Sequence, residues 1–128
     1  MDEGAPGMAA ITPSHTYRAY VTEVIDGDTF DAMVDPGFHL TIKLRLRLAR
    51  VNTPELHAKD PEVRSNAAAA RMFVAAHIDG AEVLVITRKA DAFGRYLAEV
   101  WYELLGEQVN LSDQLLATGH AVPYERKQ

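Results

Sequence analysis

The chain has 128 residues and no cysteine, and its 13 Lys and Arg against 18 Asp and Glu leave a formal charge of -5. That length suits one compact domain around a single core, and the missing cysteines exclude disulfides, thiolate-held zinc and thiol catalysis. A net acidic chain does not coat nucleic acid by bulk attraction, so any phosphate site must be a local gathering of cations.

Residues 1–16 are expected to form a flexible tail, and residues 17–128 the domain. Gly, Ala and Pro are frequent in the tail, Asp2 and Glu3 stand where a secretion signal needs a basic start, and no apolar run follows. An intracellular protein is therefore expected. No stretch reaches the roughly 20 apolar residues that cross a bilayer.

Tyr17 to Ile25 alternates and is rich in β-branched and aromatic residues. Asp26-Gly27 then reads as a hairpin turn before a second strand, Asp28 to Val34. Asp35-Pro36-Gly37 is the next expected turn, and His39 to Ala49 the third strand, with one apolar and one cationic face through Lys43, Arg45 and Arg47. Asp60-Pro61-Glu62 places a cap, a first-turn proline and a first-turn acid in order. The helix they open is predicted to bury Val63, Ala67, Ala70 and Val74 and to close at Gly80. Ala81 to Thr87 and Tyr96 to Tyr102 are the fourth and fifth strands, joined by a charged loop around Gly94. Asn110 is expected to cap a short second helix that runs through Thr118 and stops at Gly119. Trp101, Tyr102 and Leu104 are assigned to the barrel's interior plug. Three meandering strands, a helix, two strands and a helix define a mainly β chain with two helices (α+β), a five-stranded Greek-key barrel of the OB type.

Three segments carry candidate chemistry, although each alone also reads as an ordinary turn or solvated face. In Asp26-Gly27-Asp28-Thr29, Asp28 offers a hard carboxylate oxygen of the kind Ca²⁺ takes. In the run from Arg47 to Glu55, a basic strand enters a proline-stiffened loop with a carboxylate. Hydrolysis of a phosphodiester asks for such a pair: a donor fork for phosphoryl oxygens and a base for water. In Asp91-Ala92-Phe93-Gly94-Arg95, a second arginine could meet charge developing on phosphorus. The five histidines lack ligand spacing, so zinc is not expected. His57 reads as a solvent-facing loop residue.

Together, in identity, order and placement on the strands, these segments resemble the staphylococcal nuclease (thermonuclease) family from about Tyr20 to Ala121. Val109-Asn110 and Gly119-His120-Ala121 match its final helix and exit. The resemblance implies Ca²⁺ held by Asp28, by Asn52 and by the Thr53 carbonyl, Glu55 as general base, and Arg47 and Arg95 on the reacting phosphate. It also implies cleavage of DNA or RNA that leaves a 3′-phosphate. Single strands are expected to be favoured, with Tyr124 available to stack on a base; a monomer is expected. Three departures stand out. Asn52 replaces a second calcium aspartate, Phe93 replaces a tyrosine, and the sequence stops at Gln128 without the long C-terminal helix. The rival readings are a non-catalytic nucleic-acid-binding barrel and a protein-interaction barrel; Glu55 and both arginines argue against the first.

Overall fold

The computed structural model describes residues 12–90 and 94–124, with residues 89 and 90 described by backbone only. Most of the expected tail and the segment Asp91-Ala92-Phe93 lie outside the described residues. In chain order the elements are β1 (Thr16–Asp26), β2 (Thr29–Gly37), β3 (Leu40–Leu48), β4 (Val51–Asn52), α1 (Pro61–Ile78), β5 (Glu82–Ala90), β6 (Tyr96–Leu104), β7 (Glu107–Asn110), α2 (Leu111–Ala117) and β8 (Val122–Pro123).

The main sheet runs β3-β2-β1-β5-β6-β7. A parallel pairing of β3 with β6, Leu46 to Tyr96 through Leu48 to Ala98, closes five of these strands into a mixed barrel of the OB type. Period-two alternation sends Val21, Phe30, Leu46, Leu48, Val85 and Val100 inward, where each is fully buried. Helix α1 begins as its sequence predicts: Asp60 accepts from the Glu62 amide, and Pro61 takes the first helical position, where no amide hydrogen is needed. Its buried stripe is Ala67, Ala70, Val74 and Ile78. It lies one turn later than expected, leaving Val63 half-buried. Helix α2 is capped by Asn110, whose side chain accepts from the Asp113 amide.

The β1 to β2 turn depends on Gly27 for space. The φ of Gly27 is not positive, but a Cβ there would stand 2.8 Å from Thr53 Cγ2 and 2.9 Å from Ala70 Cβ. Closer than ordinary van der Waals contact, it would push the turn off both neighbours. Only because position 27 has no side chain and position 70 a methyl do the turn, the Thr53 loop and α1 meet.

Two expectations are corrected. The reversal between β2 and β3 falls at Phe38 and His39, both left-handed at φ 60° and 59°, while Asp35-Pro36-Gly37 forms an irregular end of β2. Left-handed non-glycine residues are rarely favoured in turns, which is why propensity pointed to the Pro-Gly pair instead. Trp101 lies on the barrel's outside at 36% exposure, whereas its neighbour Tyr102 is buried. Adjacent residues of a strand face opposite ways, so the two could not both plug the interior.

Candidate active site

Asp28 occupies the turn between β1 and β2 and is buried, as is Arg47 near the end of β3. The register that sets Thr29 opposite Arg47 brings the two together. Arg47 Nη2 donates to Asp28 Oδ2 at 3.3 Å and to Asn52 Oδ1 at 2.8 Å. Its Nη1 donates to the carbonyls of Leu48 and Val51 at 2.6 and 2.9 Å. The Thr53 amide also donates to Asp28 Oδ2, at 3.1 Å. Arg95, just before β6, donates to Thr29 Oγ1 at 3.2 Å, and that hydroxyl in turn donates to Asp28 Oδ1 at 3.2 Å. Both arginines thus converge on one carboxylate, Arg47 directly and Arg95 through a hydroxyl. Removing Arg47 would strand a buried charge, a loss of about 3–5 kcal/mol.

Asp26, which the sequence presents only as a turn residue, belongs to the same cluster. Its Oδ1 accepts from the Asp28 amide at 3.0 Å. Burial, then the hydrogen bond and charge of the Asp28 carboxyl, push Asp26 up to about 6. Burial would raise Asp28 as well, but its hydrogen bond with Asp26, the Arg47 charge and the Thr53 amide outweigh that and hold it below the ordinary carboxylate range. Two carboxylates whose environments drive them apart make this rim the candidate site. The spacing Asp-Gly-Asp was the available signal, masked by its equally good fit to a turn.

Glu55 sits on the loop beyond Thr53 with its side chain exposed. That loop is held from behind: the Glu55 carbonyl accepts from the Ala58 amide, and Arg64 of α1 donates to the carbonyls of Ala58 and Lys59. Tyr124 reaches the cluster from the other side, its ring centroid 5.4 Å from the Arg47 guanidinium carbon and its amide bonded to the Arg50 carbonyl. A cleft of about 240 Å³ opens beside Asn52, Thr53 and Pro54 and is closed by residues 119–122.

The oxygens of Asp26, Asp28, Asn52 and the Thr53 backbone are of the hard type that Ca²⁺ and Mg²⁺ take. The donor chemistry fits a divalent ion, since the Asp26 and Asp28 carboxylates stand side by side at the rim. Among the described residues no three His, Asp or Glu side chains gather to hold a metal, so neutral oxygens and water would have to complete the shell. Asn52 Oδ1 is turned to Arg47 in this arrangement.

The fold and site together are those of a closed OB-type barrel with two arginines and paired aspartates at its rim. Residues 45–128 match the family described as staphylococcal nuclease homologue, and the chain belongs to that family. It is also similar to Protein ParB of Escherichia coli, 34% identical over 87 residues, which cover 68% of this chain and 43% of that protein. The chain therefore spans less than half the length of that curated relative. Among the described residues no helix is long and apolar enough to cross a membrane.

Proposed function

We propose that the chain is a phosphodiesterase that hydrolyses DNA and RNA backbones with the help of Ca²⁺, favouring single strands and leaving 3′-phosphates. The observation that carries this reading is the convergence of Arg47 and Arg95 on Asp28, beside a loop that offers the exposed Glu55. Asp26, Asp28, Asn52 and Thr53 would hold the ion. Bound there, calcium would supply Lewis-acid polarisation of a phosphoryl oxygen. Glu55 takes the proton of the attacking water as its oxygen bonds to phosphorus and the 5′ P–O bond breaks, the departing 5′ oxygen taking a proton from solvent; this work needs a carboxylate open to solvent and substrate. The two arginines donate to oxygens of the phosphoryl group as negative charge builds on them. In this arrangement Arg47 spends its four Nη hydrogens on the Leu48 and Val51 carbonyls, Asp28 and Asn52, so it trades its side-chain partners for phosphoryl oxygens when substrate binds. Tyr124, at 44% exposure, offers a face to an unpaired base, which a duplex would keep stacked. Membership of the nuclease-homologue family favours a nucleic-acid partner; catalysis, calcium and strand preference rest on the residues.

End-labelled single-stranded DNA incubated with the protein in calcium or in chelator tests the reading. Calcium-dependent fragments ending in 3′-phosphate are expected. Binding without cleavage in Ca²⁺, Mg²⁺ and Mn²⁺ would establish the non-catalytic barrel instead.

A further inference from the structure

Arg50 is left-handed, at φ 72°, where β3 gives way to the loop that carries Asn52, Thr53 and Glu55. Its guanidinium reaches residues far away in the sequence. Nε and Nη2 donate to the two carboxylate oxygens of Glu99 on β6 at 2.6 and 2.9 Å, and Nη2 also donates to Asn110 and to Asp113 at 3.1 Å each. Glu99 is buried and accepts as well from the side-chain Nδ2 of Asn110 at 3.0 Å, with Arg88 at 3.5 Å. The backbone on either side is tied down too. Ala49 donates its amide to the Ala98 carbonyl and accepts at its own carbonyl from Ser112, while the Arg50 carbonyl takes the Tyr124 amide.

We propose that Arg50 and Glu99 form a positioning pair. Anchored to β6 and α2, Arg50 holds one short turn that fixes three things: Arg47 behind it, the Asn52 to Glu55 loop ahead of it, and Tyr124 beside it. Neither residue touches the reacting atoms; each acts through the loop. The inference rests on the proposed phosphodiesterase activity and deepens it. A left-handed backbone is one that glycine accepts freely. Arg50→Gly therefore relieves the turn's own strain while deleting the anchor, which separates positioning from mere backbone stability.

The experiment measures kcat, KM and thermal unfolding on single-stranded DNA with calcium for the wild type, Arg50→Gly, Arg50→Lys, Glu99→Gln and the double variant Arg50→Gly/Glu99→Gln. Expected are kcat values lowered by about tenfold or more in Arg50→Gly, since small misplacements of catalytic groups are costly, with KM changed much less and a retained unfolding transition. Arg50→Lys should recover part of the loss. The double variant should be no worse than Arg50→Gly alone, as residues acting as one unit are not additive. A folded Arg50→Gly with wild-type kcat overturns the proposal. If Arg50→Gly loses its transition, Glu99→Gln decides by the same criterion, and loss of fold in both overturns it too, since the pair would then hold the domain together and not set the site. An inactive wild type sinks the proposed function, and this inference with it; an active wild type beside equally active variants sinks the inference alone.

Discussion

The two ends of the β1 and β2 hairpin differ in kind. At the end where the strands meet, Asp26, Asp28, Arg47, Asn52, Thr53 and Arg95 pack into a polar rim in which nearly every group named is bonded to another. At the far end lies a cleft of about 460 Å³, lined by Tyr17, Val34, Pro36, Ile42, Leu44 and Tyr96 among others. Judged by volume, that apolar cleft would be the site. Among the described residues it gathers no carboxylate, whereas the rim sets the buried Asp28 and the half-buried Asp26 beside two arginines. Charge held against its desolvation cost is the better guide to chemistry than empty space.

Substitutions at the two ends should therefore separate cleanly. The largest effect is expected from Glu55→Gln, which removes the base from an exposed loop without disturbing packing. Turnover should fall by about 10²-fold or more with an unchanged unfolding transition. An unchanged rate in the folded variant removes Glu55 from the mechanism.

Arg95→Ala should lower kcat by about 10²-fold, the usual effect of deleting a donor aimed at developing charge. A loss confined to KM would show that Arg95 binds phosphate in the ground state only. Arg95 is the cleaner probe, because Arg47 also offsets the buried Asp28 charge.

A smaller effect tests the rim's electrostatics through stability. The folded-state value of Asp26, about 6, lies above its ordinary value of 3.8. The folded protein thus holds this proton more tightly than the unfolded chain does, and stability is lost as pH rises from about 4 to about 6. Asp26→Asn removes that penalty. In metal-free buffer at pH 7–8 the variant should be more stable than wild type by about 1 kcal/mol, after a discount for partial exposure and screening. Near pH 4 the advantage should vanish; denaturant melts at the two pH values check the sign.

The smallest effect belongs to the other end. Ile42→Ser in the apolar cleft, at a side chain 44% exposed, should leave kcat within about twofold, as surface changes away from a site usually do. A loss comparable to that of Arg95→Ala would place substrate in the cleft and dissolve the contrast.

How much of this was legible in the sequence follows from the range of the interactions. Strand alternation, the Asp60-Pro61 helix start and the Asn110 cap are local, and the sequence shows them. Asp28, in the turn that opens β2, and Arg47, on the neighbouring β3, are joined by a short connection, so the family pattern carries them. Arg50 and Glu99 are 49 residues apart, and no local periodicity announces a salt bridge of that reach. Gly27 looks like a residue chosen for turn conformation, yet its role is close approach to Thr53 and Ala70. The left-handed pair Phe38 and His39 goes against propensity, and only the pairing of β2 with β3 places the reversal there.

If the Asp28 rim both holds the ion and carries out the hydrolysis, a change at Asn52 should alter the two together. Calcium titrated by calorimetry into the wild type and into Asn52→Asp, with cleavage of single-stranded DNA followed on the same preparations, joins the two halves. A carboxylate at position 52 adds a unit of negative charge to the donor set. Calcium affinity should rise by about tenfold, equivalent to about 1.4 kcal/mol, and the calcium needed for half-maximal cleavage should fall in parallel. Equal affinity in both proteins would remove Asn52 from the metal's surroundings, and cleavage by proteins that bind no calcium would contradict the account as a whole.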